Sequence, residues 1–467
     1  MSVLPRNALA GFLSIALLGC TAAVPDSPQD LFNRPPLDAI PAVSQFDRGD
    51  ALALLEFCVN LDSQDDLHPH ASSKKKEPLS AQAPRYIYRM REDRIKDWDA
   101  PDTDDKDSRI MVAREKYPNG PDARFIDLKY DSTNNGFGPF KSAWTLWHKR
   151  NTTTWALVIR GTVFESAPSV DEDVLVTTVA ARHGLKIDHR ILPVTFAELP
   201  HSEVHEGFAY GMFSLLFDKK FGALNAVRKY VPAGGTLLIA GHSQGAALAA
   251  LTHAFLFNAM NPADGGDPFQ LADRKYSLRS YTFAQPRPGN LHFALNFARI
   301  TSGGATSFAL NNTIDPVTMV PTTHSFIAGA FEDSPNQHGW KVLRLINTGL
   351  NDVHNLWNTV LEKGLARELR GVKASHLSEY QVHPESWGHV EKPDLPVSQN
   401  YVTAGTMIPL IGHTNQAILL YYNFAADESD EFIQHHATTY RRLLEELFHL
   451  EATTEDYMAK QQPVREQ

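Results

Sequence analysis

Short apolar runs alternate with longer segments of helical apolar periodicity between residues 142 and 311. The short runs predict strands at Ser142–His148, Trp155–Ile159, Gly235–Ala240, Leu278–Phe283 and Ser307–Asn311. The periodic segments predict helices at Ala246–Met260 and Asn290–Asn296. This alternation of strand and helix predicts an α/β fold with a mostly parallel sheet flanked by helices.

The pattern on either side of this alternation predicts one domain, residues 46–460, with two insertions near 163–203 and 345–400. Before the alternation, an apolar-periodic segment from Ala51 to Val59 predicts a helix, and we expect Asp50 to cap its start. Cys58 lies on the apolar pattern, so we expect it to be a buried small hydrophobic residue.

The first residues have the pattern of an export signal. Arg6 precedes an apolar stretch from Leu9 to Leu18, which predicts a secretory signal peptide over 1–19 and is too short to span a bilayer comfortably. The stretch ends Leu-Leu-Gly-Cys at Cys20 and resembles a bacterial lipobox, in which the cysteine is lipidated. The alternative is an ordinary signal peptide that happens to contain a cysteine.

Lipidation of Cys20 would place the protein in a bacterial cell envelope, held to a membrane by its N-terminal lipid. The Pro-, Asp- and Ser-rich residues 20–45 then form a tether. Thr21 follows the cysteine where an aspartate would indicate inner-membrane retention, so an outer-membrane location is expected if the source is Gram-negative. Cys58 would remain without an intramolecular disulfide partner, because the chain has two cysteines.

Composition excludes one class of partner. The 467 residues carry a formal net charge of −10 and 43% of them are hydrophobic, which is typical of a globular protein. The acidic residues are spread along the chain. A nucleic-acid partner is therefore not expected, since neutralising phosphates requires a clustered basic surface.

The pentapeptide Gly241-His242-Ser243-Gln244-Gly245 lies between a predicted strand and a predicted helix. In a Gly-x-Ser-x-Gly motif of this setting, the serine occupies a tight strand-to-helix turn, and the glycines remove side chains that would clash there. The motif predicts that Ser243 is the nucleophile of a serine hydrolase. The alternative is a Gly-Ser turn without chemistry.

Four further segments resemble motifs of the class 3 lipases, which are fungal triacylglycerol lipases and their plant and bacterial relatives. The segments follow one another in the order in which that family has them. They are Leu157–Thr162, Val204–Phe208, Thr282–Asn290 and Asn312–Val317 followed by Val320-Pro321. Ala284 stands where that family usually has glycine. The resemblance covers residues 155–325 well, whereas the first hundred residues and the region after residue 345 match poorly. It implies an α/β-hydrolase fold and hydrolysis of carboxylic esters.

The resemblance also implies roles for individual residues. The amide after the nucleophile, that of Gln244, is one expected oxyanion donor, and the resemblance gives the other to Thr162. Asp315 stands where the family has the aspartate that orients the catalytic histidine. The alternative is that Asp315 has no catalytic role and only caps a turn before Pro316.

The histidine is less well defined, because several histidines follow Asp315. In many family members the catalytic histidine lies at the start of the last helix, five residues before a tyrosine. His435 lies five residues before Tyr440 and is therefore the expected base. The strand-like segment Tyr401–Leu410 resembles the strand that precedes it. His436 and His376 remain alternatives. His205 precedes the nucleophile and is not expected to be the base.

The expected activity is therefore that of a lipase, phospholipase or carboxylesterase acting on a lipid ester through an acyl-enzyme. An acyltransferase would use the same residues, and a non-catalytic envelope lipoprotein that keeps the fold is the alternative outside enzymes. Neither a metal site nor a cofactor is expected, because no metal-ligand motif is present and the triad needs none. The insertion 163–203 lies where family lids occur, and is either a lid or a surface insertion.

Overall fold

The computed structural model describes residues 44–62, 91–99, 113–117, 120–124, 143–162, 178–187, 190–217, 222–262, 266–321, 380–381, 401–415, 417–418 and 433–450. The described residues from Phe46 onward belong to one compact unit. The predicted signal peptide, Cys20, His376 and nearly all of the tether and of the insertion 345–400 lie outside the described residues.

The described helices and strands are as follows, numbered along the chain. The helices are α1 Arg48–Asp62, α2 Glu92–Ile95, α3 Glu206–Phe217, α4 Ala223–Tyr230, α5 Gln244–Met260, α6 Leu291–Ile300 and α7 Ala437–Leu447. The strands are β1 Trp98–Asp99, β2 Ala113–Tyr117, β3 Gly120–Arg124, β4 Trp144–Lys149, β5 Thr154–Ile159, β6 Thr178–Ala180, β7 Arg182–Ile187, β8 Arg190–Thr195, β9 Glu203–His205, β10 Thr236–His242, β11 Ser277–Phe283, β12 Gly289–Asn290, β13 Ser307–Asn312, β14 Tyr380–Gln381, β15 Tyr401–Val402 and β16 Thr406–Leu410.

The main sheet has seven described strands in the order β1-β4-β5-β10-β11-β13-β16. The pairs β1–β4 and β4–β5 are antiparallel, and β5, β10, β11, β13 and β16 run parallel to one another. The central strands are buried along most of their length because both faces of the sheet are covered. Ala156 and Val158 pack on the side of α1 and α7. Leu157 and Ile159 pack on the side of α3, α4 and α5. This sheet confirms the predicted α/β-hydrolase fold.

The five strands and two helices predicted between residues 142 and 311 are confirmed, with ends that differ by a few residues. The expected cap Asp50 is wrong. Helix α1 begins at Arg48, three residues before the predicted Ala51, and the Asp47 carboxylate accepts the Asp50 backbone N–H at 2.7 Å. The buried Asp50 carboxylate instead accepts from Lys149 Nζ at 2.6 Å. Cys58 is buried and carries a free thiol, as expected.

The described part of the insertion 163–203 is built from strands. Strands β7 and β8 form an antiparallel hairpin that pairs with β14. Strand β6 forms the edge of a second sheet in the order β15-β12-β9-β6. Residues 163–177 lie outside the described residues, so a lid there stays a prediction. No described helix is both long and apolar enough to span a bilayer.

A buried set of charges joins α1 to α7. Arg441 Nη2 lies 2.7 Å from Glu56 Oε2, and Arg91 Nη1 lies 2.5 Å from Glu445 Oε1. The Glu56 carboxylate also accepts the Arg91 backbone N–H at 3.0 Å. Burial raises the pKa of Glu56, and the guanidinium of Arg441 opposes that rise. Because both partners are almost fully buried, this pair depends on its geometry far more than a surface ion pair does.

Replacing Arg441 should therefore be costly. The change Arg441→Met leaves Glu56 buried without its nearest guanidinium, and we expect the free energy of unfolding to fall by about 3–5 kcal/mol. The control is Arg442→Met, which removes a more exposed pair with Glu446 and should cost less than about 1 kcal/mol. Urea unfolding measures both, and equal losses for the two variants would contradict this reading.

Candidate active site

Ser243 stands at the turn between β10 and α5. Its φ of 57° and ψ of −131° are rarely adopted by a residue other than glycine. The Ser243 N–H donates to the Phe283 carbonyl of β11 at 3.0 Å, which holds this conformation against the sheet. The turn therefore has the strained strand-to-helix geometry that the Gly-x-Ser-x-Gly motif predicts.

The two glycines of the motif are required by close backbone approach. A Cβ at Gly241 would overlap the Gly245 carbonyl. A Cβ at Gly245 would lie 2.6 Å from the Arg160 carbonyl oxygen. The start of α5 thus packs directly against the end of β5, which brings Gln244 and the segment leading to Thr162 to the same edge of the sheet. Both residues are buried. Their role as oxyanion donors stays a prediction.

His435 contacts both other members of the predicted triad. Its Nε2 lies 2.7 Å from Ser243 Oγ, and its Nδ1 lies 2.8 Å from Asp315 Oδ2. Because an ionised carboxylate only accepts hydrogen bonds, Nδ1 carries the proton and its N–H donates a hydrogen bond to Asp315. Nε2 is then left to accept the Ser243 hydroxyl. The structure thus brings together the three residues that the sequence predicts.

The other histidines occupy different positions. His436 is the N-cap residue of α7, next to His435. His205 lies on β9, in the second sheet, where its ring stacks on Phe208 at 3.9 Å and its Nδ1 accepts the Phe208 N–H. Among the described histidines, His435 is the one hydrogen-bonded to Ser243.

Asp315 both caps a turn and orients His435. Its Oδ1 accepts the Val317 N–H at 2.9 Å, at the start of a 3₁₀ turn over Pro316–Met319. Its Oδ2 accepts from His435 and also from the Tyr440 hydroxyl, at 2.7 Å. In the sequence, Tyr440 served only as a spacing marker. Its hydroxyl bond to Asp315 is a contact that the spacing alone did not predict.

The protonation states suit base catalysis. Burial lowers the pKa of His435 from its ordinary value of 6.5, and Asp315 only partly opposes this. Burial alone would raise the pKa of Asp315, but its hydrogen bonds with His435, Tyr440 and Val317 bring it below the ordinary value. At neutral pH the site therefore holds a neutral His435 imidazole beside an ionised Asp315 carboxylate. The neutral imidazole can accept the proton of the Ser243 hydroxyl.

Comparison with known proteins gives the same family as the sequence motifs. Residues 156–325 match the family described as lipase (class 3). This match confirms the resemblance to the class 3 lipases over that segment. No curated protein matches the chain.

Several solved lipase structures are similar at low identity. The M37 lipase is 14% identical, with 87% of this chain and 93% of that one covered and a TM-score of 0.40. Lipase II from Rhizopus niveus is 15% identical, with 59% and 75% covered and a TM-score of 0.32. The Rhizomucor miehei lipase propeptide complex is 22% identical, with 39% and 49% covered and a TM-score of 0.25. Similarities this distant carry no argument about function.

The lowered pKa of His435 predicts the acid side of the pH profile. Protonated His435 cannot accept the serine proton, so kcat/KM for a soluble ester should fall as the pH drops through a value below 6.5. The ring of His242, centred 4.9 Å from that of His435, contributes to the lowering. His242→Asn should therefore move the acid limb to higher pH. An acid limb above 6.5 in the unmodified protein would contradict the assignment.

Proposed function

We propose that this protein hydrolyses lipid esters through an acyl-enzyme formed on Ser243. The observation that supports the proposal is the continuous hydrogen-bonded chain from Ser243 Oγ through His435 to Asp315 Oδ2, at 2.7 and 2.8 Å. Its members come from three separate parts of the chain, at the end of β10, after β13 and before α7. A chance turn would not place a base and an orienting carboxylate in line with the serine.

In the proposed reaction, Ser243 Oγ attacks the ester carbonyl while His435 Nε2 takes its proton. The amides of Gln244 and Thr162 stabilise the negative oxygen of the tetrahedral intermediate. The imidazolium then gives its proton to the departing alcohol, which leaves an acyl-serine. Water, deprotonated by the same Nε2, attacks the acyl carbon. As the second intermediate collapses, the imidazolium returns that proton to Ser243 Oγ, which leaves as the carboxylic acid is released.

Two observations support a lipid as the ester. The first is that residues 156–325 match the family of the class 3 lipases. In addition, large apolar side chains are exposed close to Asp315. Ile314 and Met319 flank the turn that holds Asp315. Ile411 follows β16, and the next residue, Gly412, is so close to Ile314 that a Cβ at Gly412 would overlap its side chain. Such side chains favour contact with acyl chains rather than with a polar alcohol.

Single substitutions test the assignment. Ser243→Ala and His435→Ala should each lower kcat for p-nitrophenyl butyrate by at least about 10³-fold, since each removes a member of a unit that acts together. The matched control is His436→Ala, the adjacent histidine, which should retain kcat within about threefold because it does not accept the serine proton. If His436→Ala loses activity and His435→Ala keeps it, the base is misassigned.

Product analysis then defines the reaction. The protein is incubated with triacylglycerol, phosphatidylcholine and p-nitrophenyl ester substrates, with and without an added alcohol. Free fatty acid as the main product supports hydrolysis, and transfer of the acyl group to the alcohol at the expense of free acid identifies an acyltransferase. If Ser243→Ala and the unmodified protein give the same product yields, the protein is a non-catalytic scaffold.

We also propose that Cys20 is lipidated and holds the protein at a bacterial cell envelope. The support is the lipobox-like sequence before Cys20 and the tether-like composition of residues 20–45. In a bacterial host, the protein with its original sequence should incorporate labelled palmitate, and the Cys20→Ala variant should carry no label. The control is Cys58→Ala, which should keep the label because that thiol is buried in the folded domain. Absence of label in the protein with its original sequence would rule out lipidation.

A further inference from the structure

Asn312, the last residue of β13, is hydrogen-bonded to the segments that carry two members of the triad. Its side chain is almost fully buried, with 1% of the residue exposed. The chain between Asp315 and His435 is 120 residues long, so covalent connection does not fix the distance between them. Non-covalent contacts must hold the two segments in register.

The first set of contacts leads to His435. Asn312 Nδ2 donates to the backbone carbonyl of Gln434 at 2.9 Å and to its side-chain Oε1 at 3.0 Å. Gln434 Nε2 in turn donates to the His413 carbonyl and to Asn415 Oδ1, each at 2.7 Å. The residue immediately before His435 is thus held between the ends of β13 and β16.

The second set of contacts leads to Asp315. The Asn312 backbone N–H donates to the Tyr440 hydroxyl at 3.0 Å, and that hydroxyl donates to Asp315 Oδ2 at 2.7 Å. Because the Asn312 N–H occupies an acceptor site of the hydroxyl oxygen, the single tyrosine proton is directed at the carboxylate. Asn312 Oδ1 also accepts the Ile314 N–H, which tightens the turn before Asp315.

We infer that Asn312 is a positioning residue for the triad, because its side chain sets the place of the His435 ring and its backbone amide sets the proton of Tyr440 against Asp315. This inference rests on the proposed function. Gln434 is its partner in the same role and lies outside the segment that matches the lipase family. Since a displacement of about 1 Å at a reacting group can cost about 100-fold in rate, a contact one residue from the base affects catalysis directly.

Adjacent Asn311 provides a matched control. It is also buried, at 5% exposed, on the same strand, and its side-chain hydrogen bonds go to the backbone of Gln285 instead of to Gln434. Alanine at either position removes the same atoms from the interior. The two variants therefore lose similar packing, while Asn312→Ala alone releases the residue before His435.

The test measures kcat, KM, thermal unfolding and the pH profile with p-nitrophenyl butyrate for the unmodified protein and both variants. We expect Asn312→Ala to lower kcat by about 10- to 100-fold with KM changed less than about twofold, because the displaced group acts on the reacting proton and not on binding. Asn311→Ala should keep kcat within about threefold of the unmodified protein at a similar loss of Tm.

The acid limb of the profile separates positioning from general loosening. Asp315, His242 and His436 all influence the charge of His435, and Asp315 is the one that raises its pKa. If His435 moves away from Asp315 in Asn312→Ala, the acid limb should shift to lower pH, whereas a purely structural loss would leave it in place.

If Asn312→Ala does not fold, Gln434→Met provides the same test, since it keeps the volume while removing the three side-chain hydrogen bonds of Gln434, to Asn312, His413 and Asn415. A kcat within twofold of the unmodified protein in these variants, or an equal loss in Asn311→Ala, would overturn the inference. Absence of Ser243-dependent hydrolysis by the unmodified protein would instead overturn the proposed function, so the two failures are distinguishable.

Discussion

The hydrogen bond between His435 and Asp315 is the interaction on which the candidate site depends. It joins the turn after β13 to the turn before α7, two segments separated by 120 residues of chain. Without it the imidazole has neither a fixed tautomer nor a fixed direction toward Ser243. Much of the surrounding structure serves to hold this bond: Tyr440 donates to the same carboxylate oxygen, and Asn312 contacts both segments.

The same constraint explains why α1 matters to the site although it supplies no member of the triad. Helix α7 follows His435 directly and carries Tyr440, and next to Tyr440 is Arg441, whose guanidinium pairs with Glu56 of α1. Apolar residues of α1 and α7 also pack together on one face of the main sheet. The family match ends at residue 325. The parts of the chain on both sides of that segment therefore supply the base and its support.

The predictability of the site followed the range of the interactions. The turn at Ser243 was predictable because its requirements are local: glycine at 241 and 245, a strand before and a helix after. His435 could be predicted only from a family resemblance and from its spacing to Tyr440, because the Asp315 contact is made in three dimensions. The prediction that Asp50 caps α1 was wrong because a contact made only in three dimensions decides where its carboxylate lies. Asp47 and Asp50 both suit a helix start, and the tertiary contact with Lys149 directs the Asp50 carboxylate elsewhere.

Reaction of Ser243 with a fluorophosphonate tests whether Ser243 is an activated nucleophile, because this probe reacts with a serine only when a neighbouring base activates it. The folded protein is treated with the probe and digested, and the adduct is located by mass spectrometry. We expect a single adduct on the peptide that contains Ser243, and its loss when the protein is first unfolded in urea. An unmodified Ser243 peptide from folded protein, or an adduct on another serine, would contradict it.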